Sequence, residues 1–386
     1  MVALLLYGCC RRVYSSRQIA RGCEERVDLM AVTGLQRPDF RTIANFRRRH
    51  LAALAALFGQ VLRLCRAAGL VRLGHVAIDG TRIQANASHH KVMSYGRMKT
   101  AEVALTAEVS GWLEQAEAAD AAEDARHGAD RRGDEMPDWV ADKARRLERI
   151  REAKAALEAE AAAPNQPDDE DGPGPSTGMQ RQGRPLRAQD GGPPDRAQRN
   201  FTDPDSRIQP TRAGFIQGYN AQAAVDAASQ VILAQRLVAG PADYPGLVPL
   251  VDQVRDRLGR RPREVSADAG FCNEANLVAM QERRIRAVQG SALTPPGRAR
   301  HGEASAAGRR SLKAKPLAMA MTAKLRRAGH RTRYRLRKQT VEPVFGQMKH
   351  ARGSRQFLLR GLDKVRGEWA LLCTAHNLLK LARSAA

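Results

Sequence analysis

HVAIDGTRIQANAS, residues 75–88, opens with an apolar, β-prone run that ends on a carboxylate and a glycine, Asp79-Gly80. A short apolar run closed by a turn residue reads as a buried strand, which delivers Asp79 where the strand ends. REVSADAGFCNEANL, residues 263–277, repeats the arrangement with Asp268 just ahead of Ala269-Gly270. Between them, YNAQAAVDA and QVILAQRLVA are two strand-like runs joined at Ala228-Ser229, a hairpin signal. A helical pattern, GLVPLVDQVRDRLG, precedes the Asp268 strand, and NEANLVAMQERR, IRAVQG and RGEWALLCTAHNLLKLAR follow it as helix, strand and amphipathic helix. Propensity alone gives a mixed α/β domain.

A third acid, Glu342, lies on a helical pattern in YRLRKQTVEPVFGQMKH, residues 334–350. Singly, each acid has an ordinary reading. Asp before Gly is commonly a turn residue, and a helical Glu is commonly solvated. Together, carboxylates from two strands and a helix in a basic setting suit phosphodiester chemistry on nucleic acid. Mg²⁺ takes hard oxygen ligands and keeps several waters, so a few carboxylates suffice. Two such ions about 3.5–4 Å apart can activate the attacking oxygen and stabilise the leaving one.

Charge supports a polyanionic partner. The 386 residues carry a formal charge of +23, with 43% hydrophobic and 4% aromatic residues, enough for a core in two or three domains. From Arg298 onward there are 22 Lys/Arg against 4 Asp/Glu, a net of +18, and this stretch contains Glu342. Residues 101–171 reverse the sign, with 9 against 20, a net of −11. The basic block therefore reads as a DNA-binding surface. Arg47, Arg48, Arg49 and His50 could also touch phosphate or form a solvated helix face.

Residues 1–72 show helical spacing, with Ser15 or Ser16 and Asp39 as N-caps. Residues 95–163 read as a solvated helical hairpin or short coiled coil, and 164–200 as a Pro/Gly/charge-rich linker, so roughly 92–200 form an insertion. Six cysteines without zinc-ligand spacing read as buried apolar groups in a reducing cytoplasm. No run reaches the roughly 18 apolar residues of a membrane span.

AIDGT…ANAS, GYNAQAAVD, SADAGF and RKQTVEPVFGQMKHARGSRQFLLRGLDKVRGEWALLCTAHNLLKL occur in an order that resembles bacterial insertion-sequence transposases of the DDE class. The resemblance covers residues 1–90 and 201–386. It implies an RNase H-like catalytic domain, an α/β mixed sheet flanked by helices, in segments 73–91 and 201–386. Residues 1–72 would be a helical N-terminal DNA-binding region and 92–200 a helical, then disordered, insertion. In that topology the first-strand Asp79 and fourth-strand Asp268 lie on neighbouring strands. Asp79, Asp268 and Glu342 would ligate two Mg²⁺ or Mn²⁺ ions for DNA cleavage and strand transfer.

Near Glu342, Tyr334, Arg337 and Lys349 would contact DNA. Four residues separate Arg337 from Glu342 where family members have three, so the arginine role falls to Arg337 or Lys338. The partners implied are double-stranded element ends and target DNA, with a homodimer or higher oligomer on DNA. The family has a further helical segment ahead of the position of Met1, so a truncated start is also expected. A decayed copy that only binds DNA is the alternative. Asp226, Asp203 and Asp205 compete weakly as ligands, and His376-Asn377 reads as polar core packing.

Overall fold

The computed structural model describes residues 1–88, 91–127, 138–162, 192–211, 213–289, 316–328 and 333–385. Strand β1 (His75–Gln84) sets the register of the main sheet. It pairs antiparallel with β5 (Gly214–Asp226), from Val76 opposite Asp226 to Gln84 opposite Gly218. On its other side it pairs in parallel with β7 (Glu264–Ala267), with Ile78 opposite Ala267. β8 (Arg286–Gln289) continues in parallel beyond β7, while β4 (Arg207–Thr211) and β6 (Ile232–Val238) pair antiparallel with different stretches of β5. The order β4-β5-β1-β7-β8, with β6 also on β5, is a mixed α/β sheet. It puts the first and fourth core strands side by side, as the family resemblance implies.

The ten residues Gln217–Asp226 of β5 are all buried. Their small side chains, Ala221, Ala223 and Ala224, suit a strand covered on both faces. Gly218 is required by close approach: a Cβ there would stand 2.4 Å from the Ile83 carbonyl oxygen. Gly218→Ala should therefore destabilise the sheet by about 1–3 kcal/mol. A thermal melt unchanged from wild type would contradict this close packing.

The hairpin turn at 227–229 is locked by Asp226. Its Oδ1 accepts from the Ala228 amide at 2.9 Å and its Oδ2 from the Arg72 and Leu73 amides at 3.0 and 2.9 Å. Those bonds occupy both carboxylate oxygens in fold-building, as a hairpin cap does. Asp205 likewise accepts from the Leu362 amide at 2.8 Å.

Five helices open the chain: α1 (Val2–Cys10), α2 (Ser16–Glu25), α3 (Val27–Thr33), α4 (Phe40–Arg49) and α5 (Leu51–Ala67). Ser15 and Asp39 cap α2 and α4 through the Gln18 and Arg41 amides. Their apolar faces meet around Leu4, Leu5, Ile19, Leu29, Ile43 and Leu54. Helices α8 (Leu247–Leu258), α9 (Glu274–Glu282) and α10 (Pro316–Ala328) lie later in the chain, and the last helix, α12 (Leu362–Ala385), packs against α5, α1 and β6. Cys9, Leu371 and Ala375 share one apolar cluster. As a result, Met1–Asn86 and Asp205–Ala386 belong to one compact unit.

Only part of α12 is a solvated basic face, because Trp369, Cys373, Thr374, His376 and Asn377 are buried. The Asn377 side chain completes the end of β6: it accepts from the Ile232 amide and donates to the Ile232 carbonyl, both at 2.8 Å. An amide side chain that mimics a neighbouring strand in this way protects a sheet edge.

The second compact unit comprises Ala87–Asp168 and Gly178–Pro204. Helices α6 (Tyr95–His127) and α7 (Asp138–Ala162) pair through Met98, Leu105, Leu147, Ile150 and Leu157. Glu102 bridges to Arg151 and Lys154 across them at 3.1 and 2.9 Å. β2 (Val92–Ser94) pairs antiparallel with β3 (Gln198–Asn200), so the stretch just before 201 is a strand where composition suggests linker. Residues 164–191 of that linker lie outside the described residues. With its own core, this unit should be dispensable: deletion of 100–195 should leave a soluble, cooperatively folding protein. Wholly insoluble protein from that deletion would show that the main sheet depends on the insertion.

All six cysteines are free thiols, four of them buried. Among the described residues, no helix is long and apolar enough to cross a membrane.

Candidate active site

Because Ile78 pairs with Ala267, Asp79 and Asp268 are the next residues on two adjacent parallel strands, whose axes lie roughly 4.8 Å apart. Both acids serve their turns as well. Asp79 Oδ1 accepts from the Gly80 amide at 2.8 Å, and Asp268 Oδ1 from the Gly270 amide at 3.0 Å, capping the turn Ala269–Phe271. Asp79 is only 9% exposed. Its pKa is pushed up to about 7, first by burial and then by the charge of Asp268. Burial raises Asp268 too, followed by the charge of Asp243. Two like charges in a low-dielectric setting favour a cation between them.

Asp243 is a fourth acid that the sequence reading missed. It lies in the loop after β6 and pairs with Arg82 of β1, Oδ1 to Nη1 at 3.0 Å and Oδ2 to Nη2 at 3.1 Å. Asn220 of β5 donates to its Oδ1 at 2.7 Å. Gly80 makes room for this cluster: a Cβ there would stand 2.8 Å from Asp243 Oδ1 and 2.9 Å from Asn220 Oδ1. The bidentate arginine fixes Asp243 and braces the strand just beyond Asp79. PADYPG carries no motif that singles Asp243 out, and its partner Arg82 stands 161 residues away.

The third predicted acid comes from helix α11 (Arg337–Gly346), where Pro343 follows Glu342 directly. Proline has no amide to give the carbonyl four residues back. The Gln339 carbonyl instead accepts from Gln230 Nε2 at 3.0 Å, which ties the helix to the β5–β6 hairpin. The chain then runs into a π-helical turn, Gln347–Ala351, a distortion frequent at functional sites. From this turn Lys349 Nζ donates to Thr81 Oγ1 at 3.1 Å and to the Arg82 carbonyl at 2.9 Å, just beyond Asp79 on β1. Burial, then the charges of Arg355 and Arg82, lowers the pKa of Lys349.

Arg337 stands between the acids. Its Nη1 is 2.6 Å from Asp79 Oδ2 and its Nη2 is 3.7 Å from Glu342 Oε1. Burial disfavours its charge, but Asp79 and Asp268 outweigh that cost and raise its pKa. The Tyr334 ring lies 6.0 Å from the guanidinium, in cation–π range. Lys338, by contrast, is exposed.

Glu342 is 49% exposed and is held off Asp79 by the arginine. Among the described residues, no three His, Cys, Asp or Glu side chains stand close enough to share one ion. Asp79 and Asp268 are thus brought together, Arg337 and Lys349 join them, and Glu342 stands at the rim. The donor chemistry fits a hard divalent cation: carboxylate oxygens, partly buried, whose pKa values are raised by burial and by neighbouring carboxylates.

Residues 183–378, half of the chain, match a family model described as a transposase DDE domain. Residues 1–49 match a transposase domain (DUF772). Asp268 and Glu342 fall inside the first match. Asp79 lies outside both and joins the matched region through its strand pairing with β5 and β7. No curated protein and no solved structure matched the sequence. Two transposase domains in series, the second built on a mixed sheet that carries paired aspartates, make this chain a member of the insertion-sequence transposases of the DDE class.

Proposed function

We propose that this transposase cleaves DNA at the ends of its insertion sequence and joins the freed ends to target DNA, with Asp79, Asp268 and Glu342 holding divalent ions. The observation that carries the reading is the adjacency of Asp79 and Asp268 on parallel neighbours, buried and mutually repelling. Mg²⁺ or Mn²⁺ bound there would supply Lewis-acid stabilisation of the phosphate and activate the attacking oxygen. Asp79 and Asp268 would be the paired ligands, and the exposed side chain of Glu342 the third.

The chain's own residues hold the substrate. Arg337, backed by Tyr334, carries a guanidinium able to leave Asp79 for a phosphate oxygen, and Lys349 presents its ammonium over the same strand. Arg82 and Asp243 keep Asp79 in place. In the first step water attacks phosphorus and the P–O3′ bond breaks, which leaves a 3′-hydroxyl. In the second that hydroxyl attacks a target phosphate and displaces a target 3′-oxygen. One site serves both because only the nucleophile changes. A homodimer or larger assembly would hold two ends. DNA binding without catalysis is disfavoured by retention of all three carboxylates.

Incubation of the full chain with Mg²⁺ and a duplex carrying the element's terminal sequence tests this reading. Nicking at the terminal junction, abolished by EDTA and absent on random duplex, is expected. Equal nicking of both duplexes would make the protein a general nuclease. A second readout needs no turnover. At a free Mg²⁺ concentration ten times Kd, binding adds about 1.4 kcal/mol of stability, a rise of roughly 2–4 °C in melting temperature. Asp79→Asn should lose that rise, and an equal rise in this variant would remove Asp79 from the ion site.

A further inference from the structure

On the main unit, away from the carboxylates, a cavity of about 300 Å³ is walled by Arg11, Arg12, Arg352, Lys380 and Arg383. Its lining contains no acid. Arg11 has a carboxylate partner, Asp28 at 3.4 Å. Among the described residues, Arg12, Arg352, Lys380 and Arg383 have none. Arg352 is 8% exposed, and its side chain meets only neutral partners, His376 Nδ1 at 2.8 Å and the Gln347 carbonyl at 3.2 Å.

His376 adds no charge of its own to the cluster. Its Nε2 faces the Gln230 carbonyl at 2.9 Å, so the proton sits there and Nδ1 accepts from Arg352. Burial, followed by the charge of Arg352, holds this imidazole neutral, with its pKa lowered to about 3. Lys380 in turn donates to Gln230 Oε1 at 2.8 Å, again a neutral acceptor. A cluster of cations this close, one of them buried, is costly unless something anionic joins it.

The shape indicates what joins it. A second cavity of about 310 Å³ shares Lys380 and Arg383 with the first and adds Arg72 and the hairpin residues Ala228 and Ser229. The cations therefore form a row from Arg11 and Arg12, past Lys380 and Arg383, to Arg72. A row suits successive phosphates of a polymer better than one small anion. Gln347 and Arg352, on the first cavity's wall, flank the same π-turn that carries Lys349 toward Asp79. One distorted helix end thus borders both the carboxylate site and the trough.

We infer that this trough binds backbone phosphates of DNA beyond those that react, and so holds the substrate strand in register with the catalytic helix. The inference rests on the DNA-processing function proposed above, but not on the metal site. Phosphate contacts of this kind position a duplex without reading its sequence.

The test uses the full chain, EDTA and a 30-base-pair duplex of random sequence, with binding titrated at several salt concentrations. Arg12→Gln/Arg383→Gln changes two exposed side chains, and Arg12→Lys/Arg383→Lys keeps their charge. Each phosphate contact contributes roughly −0.9 to the slope of log K against log salt, so the Gln pair should flatten the slope by about 1.8 units. Affinity at 0.15 M salt should fall about 10- to 30-fold, with the Lys pair close to wild type. An unchanged slope in the Gln pair, with wild type binding normally, would overturn the trough alone. Failure of wild type to bind duplex at all would instead remove the DNA-processing reading. Inorganic pyrophosphate provides the other arm: a melting-temperature rise that the Gln pair loses while its DNA slope stays at wild type would make the trough a small-anion site and contradict the proposal.

Discussion

Asp79→Asn, Asp268→Asn and Glu342→Gln should each lower cleavage of an element-end duplex by about 10³-fold or more. Loss of a metal-held transition state removes several kcal/mol, and each 1.36 kcal/mol is tenfold in rate. The substitutions keep shape and remove charge, so the sheet should survive. Asn at 79 can still accept from the Gly80 amide, and Asn at 268 from the Gly270 amide, the bonds these turns need. Binding of the same duplex in EDTA should change less than about threefold, since the phosphates meet cations elsewhere. The three effects should differ in origin. Asp79 and Asp268 are confined by strand pairing, whereas Glu342 sits at the rim against Arg337. A variant with near-wild-type cleavage identifies a carboxylate outside the site, and Glu342, the most exposed of the three, is where that outcome would be most instructive.

DNA binding should fall by about 10³–10⁵ between 50 and 200 mM salt if six to ten phosphates are contacted. The net of +18 over residues 298–386, out of +23 for the chain, locates most of the contributing charge. The folded arrangement divides that charge unequally. Without divalent ions Arg337 stays compensated by Asp79 and Glu342, so in EDTA Arg337→Ala should leave the salt slope nearly constant, whereas with Mg²⁺, which frees the guanidinium for phosphate, it should slow cleavage. Among the described residues Lys349 has only neutral partners, Thr81 and the Arg82 carbonyl, so Lys349→Ala should flatten the slope by about one unit and slow cleavage as well. Slope and rate measured for both variants separate these roles. Equal slope changes in the two would show that Arg337 is free of its carboxylates when DNA arrives.

Local pattern made much of this legible. The β1 and β7 runs, the β5–β6 hairpin and the caps at Ser15 and Asp39 follow from a few consecutive residues each. That Asp79 and Asp268 are neighbours is implied only by the family resemblance, because propensity alone gives no strand order. What stayed hidden depends on contacts distant in sequence. The Arg82–Asp243–Asn220 brace joins three elements, and nothing in the spacing of those residues announces it. β2 and β3 are three residues each, too short for periodicity to reveal, and β3 follows a Pro/Gly-rich run that reads as linker. The spacing to Glu342, one residue longer than in the family it resembles, leaves the choice between Arg337 and Lys338 open; the helix turns Arg337 toward Asp79 and Lys338 to solvent.

The basic block misleads in a different way. Composition counts every Lys and Arg alike, while packing buries Arg352 and much of α12 in the core against the N-terminal helices.

Asp79, Asp268 and Glu342 together should hold divalent ions. Anomalous diffraction from crystals of the full chain grown with Mn²⁺ tests it most directly. Expected is a peak within about 2–2.3 Å of carboxylate oxygens of both Asp79 and Asp268, with Glu342 turned in to the same ion or a neighbouring one and Arg337 displaced from Asp79. Mn²⁺ bound elsewhere in protein that cleaves DNA under the same conditions, with Arg337 still seated on Asp79, would contradict it.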